Sequence, residues 1–145
     1  MPEYNPIVLR HLLALRRFPL FAAVELDELA MVADNVTERT FAAHDRIVDA
    51  ATRVPAIHLI LEGRIDDRHR YGPHQVFGAL EVFANRPASE TALAVVPTRT
   101  LQIAASDFGD ILEDNFGLMQ LVLRTLADRM IGSDARRRTS PVVMP

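Results

Sequence analysis

Apolar and polar positions along this chain change period twice. Over 6–17, Ile7, Leu9, Leu12, Leu13 and Leu15 recur at helical spacing, with Arg10, His11, Arg16 and Arg17 between them. Pro6 suits a first helical turn, and Pro19 stops the helix. Phe18, Leu20 and Phe21 around that proline form an apolar plug. A second helix is predicted over 27–36. Leu26, Leu29, Ala30, Val32 and Ala33 mark its inner side, and Glu25, Asp27 and Glu28 sit near its start, where the helix dipole favours negative charge.

The period then shortens to that of strands. Segments 37–42, 46–48 and 56–61 are predicted strands, with Gly63 closing the third and 64–66 opening a fourth. Tyr71, Gly72 and Pro73 spell a turn. Two more strands follow at 91–96 and 100–104, separated by Pro97. Helical spacing returns at Ser106, read as an N-cap with Asp107 in the first turn. Phe108, Ile111 and Leu112 mark one helix. Phe116, Met119, Val122, Leu123, Leu126 and Met130 form one stripe on a longer one, which Gly132 and Ser133 weaken or end.

Strands in a run, flanked by runs of helices, predict an α+β domain that is mainly β. The expected architecture is an antiparallel double-stranded β-helix, or jelly-roll barrel, between N- and C-terminal helices. One domain is expected over 1–131: helices over 6–36, the barrel over 37–104 and helices over 106–131. Residues 132–145 are expected to be a flexible tail, with Arg136, Arg137 and Arg138 solvated.

Composition narrows the function. A 145-residue chain that is 49% apolar can bury one proper core. A net charge of -3 gives no electrostatic case for DNA, although all 16 basic residues are arginine. The absence of cysteine excludes disulfides and thiolate chemistry. No basic region followed by an apolar run opens the chain, and no apolar stretch is long enough to span a membrane, so a cytoplasmic protein is expected. His69 and His74 flank the Tyr-Gly-Pro turn and lack the spacing of a barrel metal site. His58, on an apolar strand, is expected in the core; His11 and His44 are expected at the surface. Asp66 with Asp67, and Glu25 with Asp27 and Glu28, read as solvated faces rather than acid–base pairs. No residues assemble a catalytic motif, and no enzyme activity is expected.

The stretch 76–91 organises the rest. Phe77 and Gly78 lead into a short helix-like run, then a turn at Arg86 and Pro87, then a strand from Thr91. A glycine before a helical turn lets successive amides converge into a small anion cradle.

In order and spacing, these pieces resemble the cyclic nucleotide-binding domains of the bacterial cyclic AMP receptor protein, protein kinase A regulatory subunits and gated channels. The resemblance runs from about Leu15 to Met130. It is carried by the plug at Phe18, by Leu26-Asp27-Glu28-Leu29, by the strand from His58 through Gly63 to Ile65, by Phe77-Gly78, and by Asp107-Phe108 leading to Leu123, Leu126, Ala127, Arg129 and Met130. It implies that the ligand cassette is Phe77, Gly78, Ala79, Leu80, Ala88, Ser89, Glu90 and Thr91. In the family pattern a glutamate stands where this chain has Ala79 and takes the ribose, and an arginine stands where it has Ala88 and pairs with the phosphate. Glu90 replaces a small residue. Usual turn glycines are replaced by His44 and by Ala50 or Ala51, and a usual tyrosine by His58. Ser89 keeps a hydroxyl.

Losing both charged contacts removes roughly 3–5 kcal/mol, about 100- to several-thousand-fold in affinity. Arg86 lies two positions early, across Pro87, and Glu81 is turned to another face, so neither is a good substitute. The resemblance therefore implies a non-enzymatic regulatory domain that binds cyclic AMP or cyclic GMP weakly or not at all, or takes another small anion. The alternatives are a working receptor with non-standard contacts and, remotely, a cupin-like metal enzyme. The family's long C-terminal helix also forms a dimer seam, which implies a homodimer through 116–131. With no room for a helix-turn-helix before Pro145, a protein partner in trans is expected to carry the output.

Overall fold

The computed structural model describes residues 5–139, except for the side chains of 129, 130 and 132–139. The chain begins with α1 (Pro6–Leu15), capped by the Asn5 side chain, which accepts from the Ile7 N–H at 2.9 Å. A 3-10 turn at Pro19–Phe21 leads to α2 (Leu26–Ala33). Eight strands follow: β1 (Val36–Phe41), β2 (Arg46–Val48), β3 (Ala56–Glu62), β4 (Ile65–Asp66), β5 (Arg70–Tyr71), β6 (Val76–Phe77), β7 (Ala92–Ala94) and β8 (Thr98–Ala104). Between β6 and β7 lies the short helix α3 (Ala79–Ala84); α4 (Ala105–Asp114) and α5 (Phe116–Thr139) close the fold.

The strands form two four-stranded sheets, ordered β1-β8-β3-β6 and β2-β7-β4-β5, with every pairing antiparallel. This is the predicted α+β jelly roll flanked by helices. Two apolar cores result. The larger joins α1, α2, α4 and α5 to the inner faces of β3 and β8, through Leu15, Phe18, Leu29, Ile57, Leu101, Phe108 and Leu118. The smaller lies under the cassette and holds Val48, Val54, Ile60, Ile65, Phe77, Ala88 and Ala92.

The structure corrects several local expectations. α4 starts at Ala105, with Ala104 as its N-cap, so Ser106 lies inside the first turn and no side chain caps the helix. The buried side of α5 is Leu118, Val122 and Leu126; Phe116 and Leu123 point outward. α5 continues through Gly132 and Ser133 to Thr139, so 132–139 is helix rather than tail, while 140–145 falls outside the described residues. A single glycine lowers helix propensity by only about 1 kcal/mol, which does not terminate a helix already formed. His11 is buried rather than at the surface: the inner side of α1 runs His11, Leu12, Leu15. Its Nε2 lies 3.9 Å from Glu38 Oε2, beyond hydrogen-bond reach, and is otherwise unpartnered among the described residues.

Four non-glycine residues adopt positive φ: His44 (75°), Ala51 (64°), His74 (68°) and Asn85 (52°). The first two are turn positions at which the family resemblance implies glycine. Gly63 has φ of 95°, and a Cβ there would approach Thr98 Cα at 2.6 Å and the Pro97 carbonyl oxygen at 2.7 Å, so only glycine fits.

Candidate functional site

The stretch 76–91 runs from β6 through α3 to the start of β7. β6 delivers Phe77 into the smaller core, where its ring packs edge-on to Tyr71 with centroids 5.3 Å apart. Gly78 then takes φ of 92° and starts α3. A Cβ at this position would lie 3.1 Å from Val54 Cγ1 and 3.2 Å from the Ala56 carbonyl oxygen, so the close approach to β3 needs glycine. α3 is anchored at its other end by Phe83, whose ring meets Phe108 of α4 edge-on at 5.8 Å. Val82 packs against both cores. The cassette helix is thus held between the barrel and the C-terminal helices.

Segment 85–91 is tied to the 49–53 turn. The Ala88 N–H donates to the Thr52 carbonyl at 2.8 Å, and the Ala51 N–H donates to the Ala88 carbonyl at 2.7 Å. The Ala50 N–H donates to Thr91 Oγ1 at 3.0 Å. Arg53 pairs with Pro87 in an isolated bridge, and its Nη2 donates to Asn85 Oδ1 at 3.2 Å. The Thr91 hydroxyl therefore holds the scaffold.

The structure brings six of the eight predicted residues into this local frame as backbone or packing elements: Phe77, Gly78, Ala79, Ala88, Glu90 and Thr91. Ala79 is 4% exposed and Ala88 is 6% exposed. The Ala88 methyl lies in the smaller core, among Val48, Ile60, Phe77 and Ala92. Leu80 and Ser89 face solvent. Arg86 is exposed as well, and its backbone N–H donates to the Glu81 carbonyl at 2.9 Å.

Glu90 is half-buried and occupied by a cation. Its Oε1 accepts from Arg68 Nε at 3.0 Å and Nη2 at 2.7 Å, tying the cassette to the hairpin between β4 and β5. Sequence reading missed Arg68 as part of this site. Only the fold of the hairpin brings it across 22 residues to Glu90.

His58 lies on β3 beside the cassette strand. It is buried, its Nδ1 is 3.3 Å from Thr100 Oγ1, and its ring meets Phe41 edge-on at 5.7 Å and Phe77 at 6.3 Å. Burial, with a lesser contribution from the Arg39 charge, pushes its pKa down to about 4, so it is neutral at pH 7. The expected core role of His58 holds. His69 and His74 are exposed, and no cluster of metal-ligating side chains occurs among the described residues.

On another face, Glu38 accepts from Arg10 at 3.1 Å and from Arg99 at 2.7 Å, and Arg99 also donates to Glu62 at 2.7 Å. The Arg99 hydrogen bond holds the Glu38 carboxyl below its usual pKa, and Glu62 and then Glu38 raise that of Arg99. This chain ties α1 to β1, β8 and β3. No helix among the described residues is long and apolar enough to cross a membrane.

No protein-family model matches this sequence, and no curated protein matches it. Solved structures are similar in fold. The N-terminal domain of a transcriptional regulator from Streptomyces coelicolor A3(2) aligns at a TM-score of 0.71 and 21% identity, over 90% of this chain and 99% of that one. The regulatory domain of Toxoplasma gondii PKA, co-crystallised with cAMP, aligns at 0.73 and 13% identity, over 84% of this chain and 50% of that one. The regulatory subunit of a cAMP-independent protein kinase A from Trypanosoma brucei aligns at 0.70 and 19% identity, over 81% of this chain and 48% of that one. A mutant of that subunit, one of whose substitutions introduces an arginine, is bound to cAMP. This chain has the jelly-roll fold of the cyclic nucleotide-binding domains.

Proposed function

We propose that this chain is a non-enzymatic regulatory domain whose cassette keeps the frame of a cyclic nucleotide site and has lost its grip on the nucleotide. The observation that carries this reading is Ala88. It stands where the family pattern places the phosphate-binding arginine, and its methyl is packed into an apolar cluster. Ala79 removes the ribose carboxylate in the same way, and Glu90 offers a negative charge already claimed by Arg68. The Thr91 hydroxyl is committed to Ala50. Among the eight cassette residues, what is left for a cyclic phosphate is backbone and the exposed Ser89.

Regulation then runs through protein contacts. A protein partner in trans receives the output, and the exposed side of α5 supports a homodimer through 116–131. Neither DNA nor membrane is a partner on this reading, and the place of action is the cytoplasm. The test is a thermal-shift titration with cAMP and cGMP up to millimolar concentration. No shift in the micromolar range is expected; saturation at low micromolar nucleotide overturns the reading in favour of a working receptor.

A further inference from the structure

Among the described residues, His11 Nε2 is the only buried side-chain nitrogen or oxygen without a hydrogen-bond partner. The residue is 7% exposed and stands on the inner side of α1 with Leu12 and Leu15. The other histidines are differently placed: His58 has Thr100 beside it, and His44, His69 and His74 are exposed. A neutral imidazole carries one donor and one acceptor, whereas an imidazolium carries two donors. Protonation would therefore give His11 Nε2 both a hydrogen to donate and a charge in need of a partner.

Glu38 of β1 is the only carboxylate within ion-pair distance of the ring among the described residues, with Oε2 at 3.9 Å from Nε2. The two oxygens of Glu38 are held unequally. Oε1 accepts from Arg99 Nη1 of β8 at 2.7 Å, and Arg99 is itself held by Glu62 of β3 at 2.7 Å. Oε2 accepts from Arg10 Nη2 at 3.1 Å, and the Arg10 side chain is 68% exposed. One oxygen is thus anchored on the barrel, while the other lies between a solvated guanidinium and a buried ring at adjacent positions of α1. On α2, packed beside α1, Asp27 and Glu28 form no ion pair among the described residues. The Arg99 hydrogen bond, with added help from the Arg10, Arg99 and His11 charges, outweighs burial and holds Glu38 below its usual pKa, so it stays ionised in mild acid.

We propose that His11 and Glu38 form a pH-operated latch between α1 and the barrel, in which a protonated His11 takes Glu38 Oε2 from Arg10. Closure takes a proton from solvent and needs about 1 Å of travel, from 3.9 Å to an N–H···O length of about 2.9 Å. The carboxylate, 29% exposed, is freer to move than the packed ring. The exchange replaces a screened surface pair with a charge-assisted bond to a buried group, so α1 docks more firmly. The added tie is present in mild acid and is lost as pH rises and the imidazole gives up its proton, ordinarily near pH 6.5. None of these residues belongs to the cassette, so the latch does not depend on whether a nucleotide binds.

The test is amide hydrogen exchange of the full-length chain at about pH 8 and about pH 5.5, on either side of the ordinary imidazole range. Protection factors, which correct for the intrinsic pH dependence of exchange, are compared between amides 12–15 of α1 and those of β3. The α1-to-β3 ratio should rise about tenfold or more on acidification, the effect of one charge-assisted hydrogen bond. His11→Gln and Glu38→Gln should each abolish the rise. Arg10→Ala should lower the ratio about twofold at the higher pH and leave it unchanged at the lower. Glu38→Gln keeps an acceptor for Arg99 and serves as the control should His11→Gln not fold. A flat ratio in the unmodified chain, or a rise that survives in Glu38→Gln, overturns the latch. A His11 ring whose nitrogen chemical shifts show it still neutral at the lower pH overturns it as well.

Discussion

The Glu90 carboxylate and the Arg68 guanidinium face each other across the cassette, joined by two hydrogen bonds to one oxygen, at 3.0 and 2.7 Å. The domain thus satisfies, from within its own chain, a charge that would otherwise stand uncompensated at the site. Arg68 is 71% exposed and Glu90 40%, so solvent screens the pair. Arg68→Ala should therefore cost no more than about 1 kcal/mol in urea unfolding. A loss well above that would show the contact to be structural.

Restoring the missing cation should be costly before it is useful. Ala88→Arg places a guanidinium in an apolar cluster, and burial of an unpaired charge together with overpacking should cost about 2 kcal/mol or more. Combined with Ala79→Glu, the same variant should recover part of its melting temperature in millimolar cAMP, because the ligand phosphate pairs with the introduced charge. Unchanged melting of Ala88→Arg without ligand would mean that the position opens to solvent.

His58 should make the fold acid-sensitive. Its pKa of about 4 in the folded chain lies below the ordinary 6.5, so below pH 6.5 the unfolded chain takes up the proton preferentially. Its contribution is intact above pH 6.5, declines as pH falls toward 4, and levels off below that, up to about 3 kcal/mol in all. Between pH 6.5 and 5, before most carboxylates titrate, His58→Gln should flatten the dependence of unfolding free energy on pH. An identical slope in the two proteins would refute the assignment.

Two turn positions should respond in opposite directions. Gly63→Ala forces a Cβ onto Thr98 and Pro97 at positive φ and should destabilise by about 3 kcal/mol or more. Ala51→Gly relieves a positive-φ alanine and should stabilise by up to about 1 kcal/mol, the αL cost less the added entropy of the unfolded chain. Chemical denaturation of both variants measures the difference, and a stabilised Gly63→Ala would contradict the geometry.

Much of this protein is legible along the chain. Strand periodicity around Phe41, Ile57 and Ile103, the glycines at 63 and 78, and the plug at Phe18 were enough to indicate a jelly roll with flanking helices, because each is a local steric or burial requirement. The unusual turn positions His44 and Ala51 were legible as well, and the structure places both at positive φ. The short strands β5 and β6 left no clear period, since two residues cannot show one.

What only tertiary structure decided are the pairings between distant segments. His11 reads as a polar residue beside Arg10, yet the packing of α1 on α2 and β1 buries it. Phe116 and Leu123 read as one stripe with Val122 and Leu126, but the first half of α5 carries apolar residues on more than one side, and packing on the rest of the chain selects Leu118, Val122 and Leu126. Arg68 reads as one more solvated arginine until the β4–β5 hairpin carries it to Glu90. Local sterics and burial write the elements into the sequence, whereas which charge meets which, and which helix face is left bare, depend on how those elements are packed.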